Sequence, residues 1–365
     1  MKKLFFILLL CPLFILPAYA QSPYEVASEE IGTAVMDQAL TADERSITGQ
    51  MVIDGNYDTG GAVKRLGEYL KDRLVTELKS NLRLTLQLLA MLAVYALLCT
   101  AADSPRTGQF TEICCTCAMA ALLVGSVDSL ITQVMDAIYR LSDYARVSLP
   151  VVFTAAAASG AVTSAGTQYA VSCMAINVLM DLVQELLLPC ICAYLALTLS
   201  NSLFPHTVLQ TVAKGLKWAA TTLMTCVTIA FTSYLHLTGL IGGSVDAAAV
   251  KAARTVISGA LPVVGGMISD ASAAVLSAAG VVRSCSGAFG LVAVCAICAG
   301  PFAVLSVRTF LLKTVSELSG AMHSPRIQCL LSGVGSTLAM LMGLLGSCAI
   351  MLFMALTSGM KAVSG

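Results

Sequence analysis

Two carboxylates, Asp181 and Glu185, stand four residues apart in a stretch otherwise apolar enough to cross a membrane. A spacing of four puts both on one helix face. An ionisable group at membrane depth is costly and faces a bundle interior or water. Two readings follow: a pore-lining or proton-coupled pair, or a pair at the membrane surface with the span beginning at Leu186. Asp270 and Arg283 occupy a related stretch further on and would play either matching or interfacial parts. Other chemistry is thin. The sequence holds no phosphate loop, no HExxH, no GxSxG and no dinucleotide fingerprint. His206, His236 and His323 are far apart, with no spacing that suggests a metal site. The 14 cysteines include Cys114, Cys115 and Cys117, the pair Cys190 and Cys192, and the pair Cys295 and Cys298, all within apolar runs. There a cysteine behaves as a small apolar residue. Residues 21–83 contain none, so no exported disulfide framework is expected. The expectation is no catalytic residue, no metal and no cofactor.

The elements that must carry these residues follow from composition. The chain has 365 residues, 21 Lys+Arg against 21 Asp+Glu, and no formal net charge. Hydrophobic residues make up 57% and charged ones 12%, and the mean hydropathy is +0.84. A soluble domain of this length needs more charge to cover its surface. A soluble enzyme, a charged disordered tail and a nucleic-acid binder working by net charge are thereby excluded. Lys2 and Lys3 precede an apolar run from Leu4 to Leu16, and Ala18 and Ala20 offer small residues before Gln21. That is the layout of a signal peptide, residues 1–20, cleaved after Ala20, the alternative being an uncleaved first membrane helix for which the apolar run is short. Residues 21–83 would then be exported, and they carry 11 acidic and 7 basic side chains. Within them Val63, Leu66, Leu70, Leu74, Leu78 and Leu82 line one side of an amphipathic helix. It is either a solvated helix or a docking helix for a partner on the outer side.

Residues 84–365 form a multispan membrane domain. Apolar stretches long enough to span lie at 84–102, 113–130, 174–203, 218–241, 284–307 and 327–360. Segments 147–171 and 255–282 are rich in Ala, Ser, Gly and Thr, too weakly apolar for confident spans and too apolar for surface loops. They also resemble one another. Leu149, Pro150, Val151 and Val152 match Leu261, Pro262, Val263 and Val264 at an offset of 112, and Pro189 matches Pro301 at the same offset. Upstream, residues 125–128 and 243–246 both read Gly-Ser-Val-Asp. The fold class expected is all-α: a polytopic membrane helical protein of about six transmembrane helices. Two small-residue-rich re-entrant or interfacial segments and an internal two-fold repeat (units about 111–205 and 218–326) complete it. If the small-residue segments do not cross, the units are parallel; if they cross, the units are inverted. In the parallel case six basic residues of the membrane domain fall on each side, so orientation rests on the signal peptide.

The pattern resembles the stage III sporulation protein AE family of endospore-forming bacteria. The residues that carry the resemblance are Ser148–Val152 with the Ser/Gly/Ala run after them, Leu188 and Pro189, Leu237–Gly239 with Asp246, and the basic loop from Lys313 to Arg326 with Pro325. Most specific is the stretch from Leu261 to Ala271, running on to Arg283 and Gly287–Gly290. The resemblance covers roughly residues 45–360. It implies a non-enzymatic integral-membrane subunit of the channel complex joining mother cell and forespore. Such a protein would sit in the mother-cell membrane around the forespore, with its N-terminal segment extracytoplasmic. The implied partners are the other membrane and ring-forming subunits of the same operon, its cytoplasmic ATPase and the lipid bilayer, with homo-oligomerisation open and no nucleic acid. The family supplies no catalytic residues to carry over. The rival reading is a secondary transporter or permease of a small solute that uses the intramembrane carboxylates.

Overall fold

A computed structural model describes residues 34–48, 52–53, 56–57, 59–100, 105–260, 265–322 and 324–361. The expected signal peptide, Pro262 and His323 lie outside the described residues. Helix α1 (Ala42–Thr48) and a two-stranded antiparallel ribbon, β1 (Val52–Ile53) and β2 (Asn56–Tyr57), precede the main body. The body is all helix: α2 (Thr59–Thr100), α3 (Pro105–Ala158), α4 (Val162–Leu182), α5 (Leu188–Leu203), α6 (Thr207–Ala260), α7 (Gly265–Ala321) and α8 (Pro325–Lys361). A π-helical turn, Val183–Leu187, joins α4 to α5. Six helical stretches are long and apolar enough to cross a membrane: Gly61–Thr100, Arg106–Ala158, Val162–Leu203, Thr207–Thr238, Ala279–Ala321 and Pro325–Met360. Each contains or largely overlaps one expected span.

The helices are much longer than a bilayer requires. The 54 residues of α3 and the 57 of α7 run about 81 and 86 Å at 1.5 Å per residue, against a hydrocarbon core of about 30 Å. The small-residue segment 147–171 is the tip where α3 turns back into α4. Gly160 sits in that turn at φ +98°, a left-handed conformation that disfavours any side chain. Val250 and Leu276, from α6 and α7, close over it. The buried Ala156, Ala161 and Ala165 let the two helices approach closely there. The π-helical turn has a chemical cause in Pro189. Proline lacks an N–H, and its ring clashes with the carbonyl four residues back, here that of Glu185. The helix widens instead, with the Leu188 N–H reaching the Val183 carbonyl. Pro150 and Pro301 are accommodated inside α3 and α7.

Helices α7 and α8 pack together at the centre, with α2, α3, α4–α5 and α6 around them. Along α8 the buried Leu331, Val334, Leu338, Leu341, Leu345, Leu352 and Leu356 recur at helical spacing. Along α7 the run from Leu291 to Val294 is buried on every side. Glycines set the closest approaches. A Cβ at Gly333 would lie 2.8 Å from Cβ of Thr198 on α5, and one at Gly359 would lie 2.7 Å from Cγ1 of Val152 on α3.

The amphipathic stripe of α2 divides. Leu66 is buried, but Leu74, Leu78 and Leu82 are 39%, 42% and 45% exposed. Residues spaced by four drift around a helix of 3.6 residues per turn, so a line of leucines at that spacing leaves the bundle face. Asn81 and Leu88 take its place there.

The end of α2, the start of α3, the 204–206 connection, the end of α7 and the start of α8 lie at one end of the bundle. The α3–α4 turn, the end of α6 and the start of α2 lie at the other. Single cysteines at the exposed Ser200 and Leu318, in a background without other thiols, should therefore react with an impermeant maleimide from the same side of the membrane. One at the exposed Val162 should react from the opposite side. Replacing Gly160 by alanine should lower unfolding stability by about 1–3 kcal/mol, read by thermal unfolding in detergent.

Candidate functional site

Three partly buried polar nodes at three heights tie the helices together. Near the middle, Arg308 of α7 reaches between α2 and α3. Its Nε donates to Oδ1 of Asn81 at 2.7 Å, and its Nη1 donates to the Ser126 hydroxyl at 2.6 Å and the Ser126 carbonyl at 3.2 Å. The Asn81 amide in turn donates to the Glu77 carbonyl at 2.8 Å and to Oε2 of Glu77 at 3.2 Å. An asparagine thus relays between a carboxylate and a guanidinium. Leu84, Leu88, Leu123, Leu130 and Leu338 surround the node. A cation placed among leucines persists only when its donors are engaged.

At the end holding the α3–α4 turn, Asp246 of α6 caps a helix that is not its own. Its Oδ1 accepts the Thr163 N–H at 3.0 Å, and its Oδ2 accepts the Ser164 N–H at 2.9 Å and the Ser164 hydroxyl at 2.7 Å. The first turn of α4 has no capping side chain of its own at Ala161. Its orphan amides and positive dipole end therefore take a carboxylate from across the bundle. Burial pushes the Asp246 carboxyl up, but the Ser164 and Thr163 hydrogen bonds together outweigh it and hold the group below the usual carboxylate range. Beside it Arg283, buried, donates from Nη1 to the Ser159 hydroxyl at 3.0 Å in the turn itself.

At the opposite end, Glu112 at the start of α3 accepts the Arg326 N–H at 2.9 Å, which caps α8, and lies 3.8 Å from the guanidinium. Arg326 also reaches the last carbonyl of α5, Leu203, at 3.4 Å. An open cleft of about 450 Å³ adjoins this node, lined by Ile113, Leu203, Phe204, Pro205, His206, Leu209 and Arg326. The segment before α2 folds back on the bundle, with Met36, Leu40 and Ile47 buried. There Glu44 pairs with Arg140 of α3.

The four ionisable candidates separate. Asp181 and Glu185 share the outward face of α4 and the π-helical turn, exposed and without an ion pair among the described residues. Arg283 points into the α3–α4 tip rather than toward them. Asp270 lies in the first turns of α7, and its side chain is outside the described residues. Of the proline anchors, Pro150 is within α3, Pro189 is at the start of α5 and Pro301 is within α7. Among the described residues no three His, Cys, Asp or Glu side chains converge as metal ligands. Sequence reasoning missed the Arg308–Asn81 contact. Asn81 falls in the polar lead-in before the first charge-free span, and nothing local marks its partner 227 residues away. One signal was available: Ser126 and Asp246 belong to the two Gly-Ser-Val-Asp stretches, and both became node residues.

Arg308→Ala leaves Asn81 without its buried donor and should cost about 2–3 kcal/mol of unfolding free energy, read by thermal unfolding in detergent. Asp246→Asn should be less stable than the wild type near neutral pH. A carboxyl whose folded pKa is depressed contributes fully above its unfolded value and loses that contribution as pH falls through the folded one. The gap between the two proteins should therefore close as pH falls below about 4.

The model of one protein family, stage III sporulation protein AE, matches residues 47–362. No curated protein and no solved structure matches the chain. The match spans α2 through α8 and takes in all three nodes, so the helical body just described is the unit that the family model recognises. The chain belongs to the stage III sporulation protein AE family.

Proposed function

We propose that the protein is a non-enzymatic integral-membrane subunit of a channel or secretion-like complex that links mother cell and forespore during spore formation. The observation that carries this reading is the family match over residues 47–362, on a chain with six helices long and apolar enough to span. The polar geometry supports it. Arg308, Asp246 and Glu112 are each engaged in holding helices to one another, as suits a scaffold held in one arrangement. With a signal peptide at 1–20, the end bearing α1 and the α3–α4 tip faces away from the mother-cell cytoplasm. The end bearing the 204–206 connection faces the cytoplasm, where the operon's ATPase would meet it. The ring-forming subunits would meet the projecting outer ends of α2, α3 and α4. The transporter reading loses support, because Asp181 and Glu185 lie on the outside of the bundle rather than lining its interior.

Deleting the gene in its native host should block sporulation after the forespore forms and abolish heat-resistant spores, with vegetative growth intact. A fluorescent fusion should collect at the membrane around the forespore. Normal spore yield in the deletion strain, together with uptake of a defined solute by the purified protein in vesicles, would establish the transporter instead.

A further inference from the structure

The outer surface carries two unpartnered helix faces that match in height, shape and charge. The first is on α2. Leu74, Leu78 and Leu82 form an exposed line, with Lys71 at its outward end. This line lies before the charge-free part of α2, on a surface that also shows Lys79 and Arg83. Water-seeking side chains there leave lipid tails a poor cover for it. The second face runs down α4, the π-helical turn and α5. Its outward end holds Asp181, Glu185 and the exposed Leu186, and below them the exposed Pro189, Cys192, Ala193 and Ala196 make a shallow surface of small side chains. Neither Lys71 nor the two carboxylates has an ion pair among the described residues.

Heights can be compared through contacts inside the bundle. Arg308 fixes Asn81 of α2 at its own level. Lys313, five residues further along α7, faces Gly335, and Gly333 faces Thr198 of α5. At 1.5 Å per residue, Lys71 then lies about 15 Å outward of Arg308, Glu185 about 9 Å and Asp181 about 15 Å. On the same scale Leu82 lies level with Cys192 and Leu78 about one turn outward of it, all within about 5 Å of the Arg308 level. Both faces run in the same direction, from the α3–α4-tip end toward the short connections, and α3 separates them, since α2 packs on α3 and α7 while α4 packs on α3, α6 and α8.

We propose that a second copy of this chain docks the leucine line of its α2 onto the small-residue face of α5, with Lys71 of one copy level with Asp181 of the next and Glu185 one turn below. Bulky residues seated on small ones give the close packing that helices use in and near lipid. The charges at equal height fix the register. The two faces differ, so the contact is head-to-tail and repeats around an axis along the helices, closing into a ring where the rotation allows. The arrangement needs only a membrane protein in one orientation, so it stands apart from the channel reading.

The test uses the full-length protein in membranes, where native Cys192 is one half of a cross-link. Leu78→Cys and Leu82→Cys variants treated with a bifunctional maleimide should give a ladder of dimers and higher species, absent from the wild type. Adding Cys192→Ser should abolish that ladder. Lys71→Glu should lower the cross-linked fraction roughly two- to fivefold, and Asp181→Lys in the same chain should restore it. A ladder that survives Cys192→Ser would mean that α2 meets α2 or a face bearing another native thiol, such as Cys114, Cys117 or Cys226, rather than α5. A cross-link only to a different protein, or monomer throughout, would mean that this face does not hold a second copy. Each of these results overturns the proposal and leaves the sporulation role standing.

Discussion

The bundle depends on how Arg308 is satisfied. A guanidinium surrounded by leucines must find acceptors or be expelled, and the acceptors it finds sit on two other helices. That requirement fixes the height of α2 against α7 and of α3 against both, something apolar contacts alone do poorly. Leucine packs on leucine in many registers, and between lipid-immersed helices the hydrophobic effect offers no preference among them. A hydrogen bond of 2.7 Å to one particular amide does. The Glu77 carboxylate, one turn nearer the α3–α4 tip, reaches the guanidinium through Asn81, which donates to it and accepts from Arg308. The charge is thus balanced without burying a second ion among apolar side chains.

The same logic recurs at both ends with different chemistry. At the α3–α4 tip the exposed need is not a side chain but the backbone: four amides at the start of any helix lack partners. Asp246 supplies oxygens to two of them from another helix. This cap joins the two halves of the chain, because α4 belongs to the first and α6 to the second. At the far end Glu112 does the equivalent for α8. Two helix starts are therefore capped by carboxylates distant in sequence, so the caps act as tertiary contacts as well as local ones.

Much of the fold was legible because its signals are local. Runs of some twenty apolar residues mark the spans, and a 3.6-residue period marks the lead-in helix. Proline placement alone did not mark the break before α5: Pro189 widens the turn before it, whereas Pro150 and Pro301 stay within α3 and α7. The site was less legible for a physical reason. Arg308 and Asn81 are 227 residues apart, and Asp246 and Ser164 are 82 apart. Arg308, Asn81 and Ser164 are not unusual where they stand, and the Gly-Ser-Val-Asp stretch marks Asp246 without marking its partner. Asp181 and Glu185 drew attention as intramembrane carboxylates, a judgement made from hydropathy. Hydropathy cannot report which way a helix face points, and here it points outward.

The tip where α3 meets α4 changes what the small residues mean. Were segment 147–171 a span, its alanines and glycines would be there to pack against neighbours in lipid. Placed at the end of an 81 Å helix, they serve a turn. Gly160 needs φ +98°, and Val250 and Leu276 press on it from α6 and α7. A larger residue there would force apart the junction that Asp246 and Arg283 secure. The weak hydropathy that made this segment ambiguous is thus the mark of a tight tip between two long helices. Its composition is set by backbone approach rather than by contact with lipid.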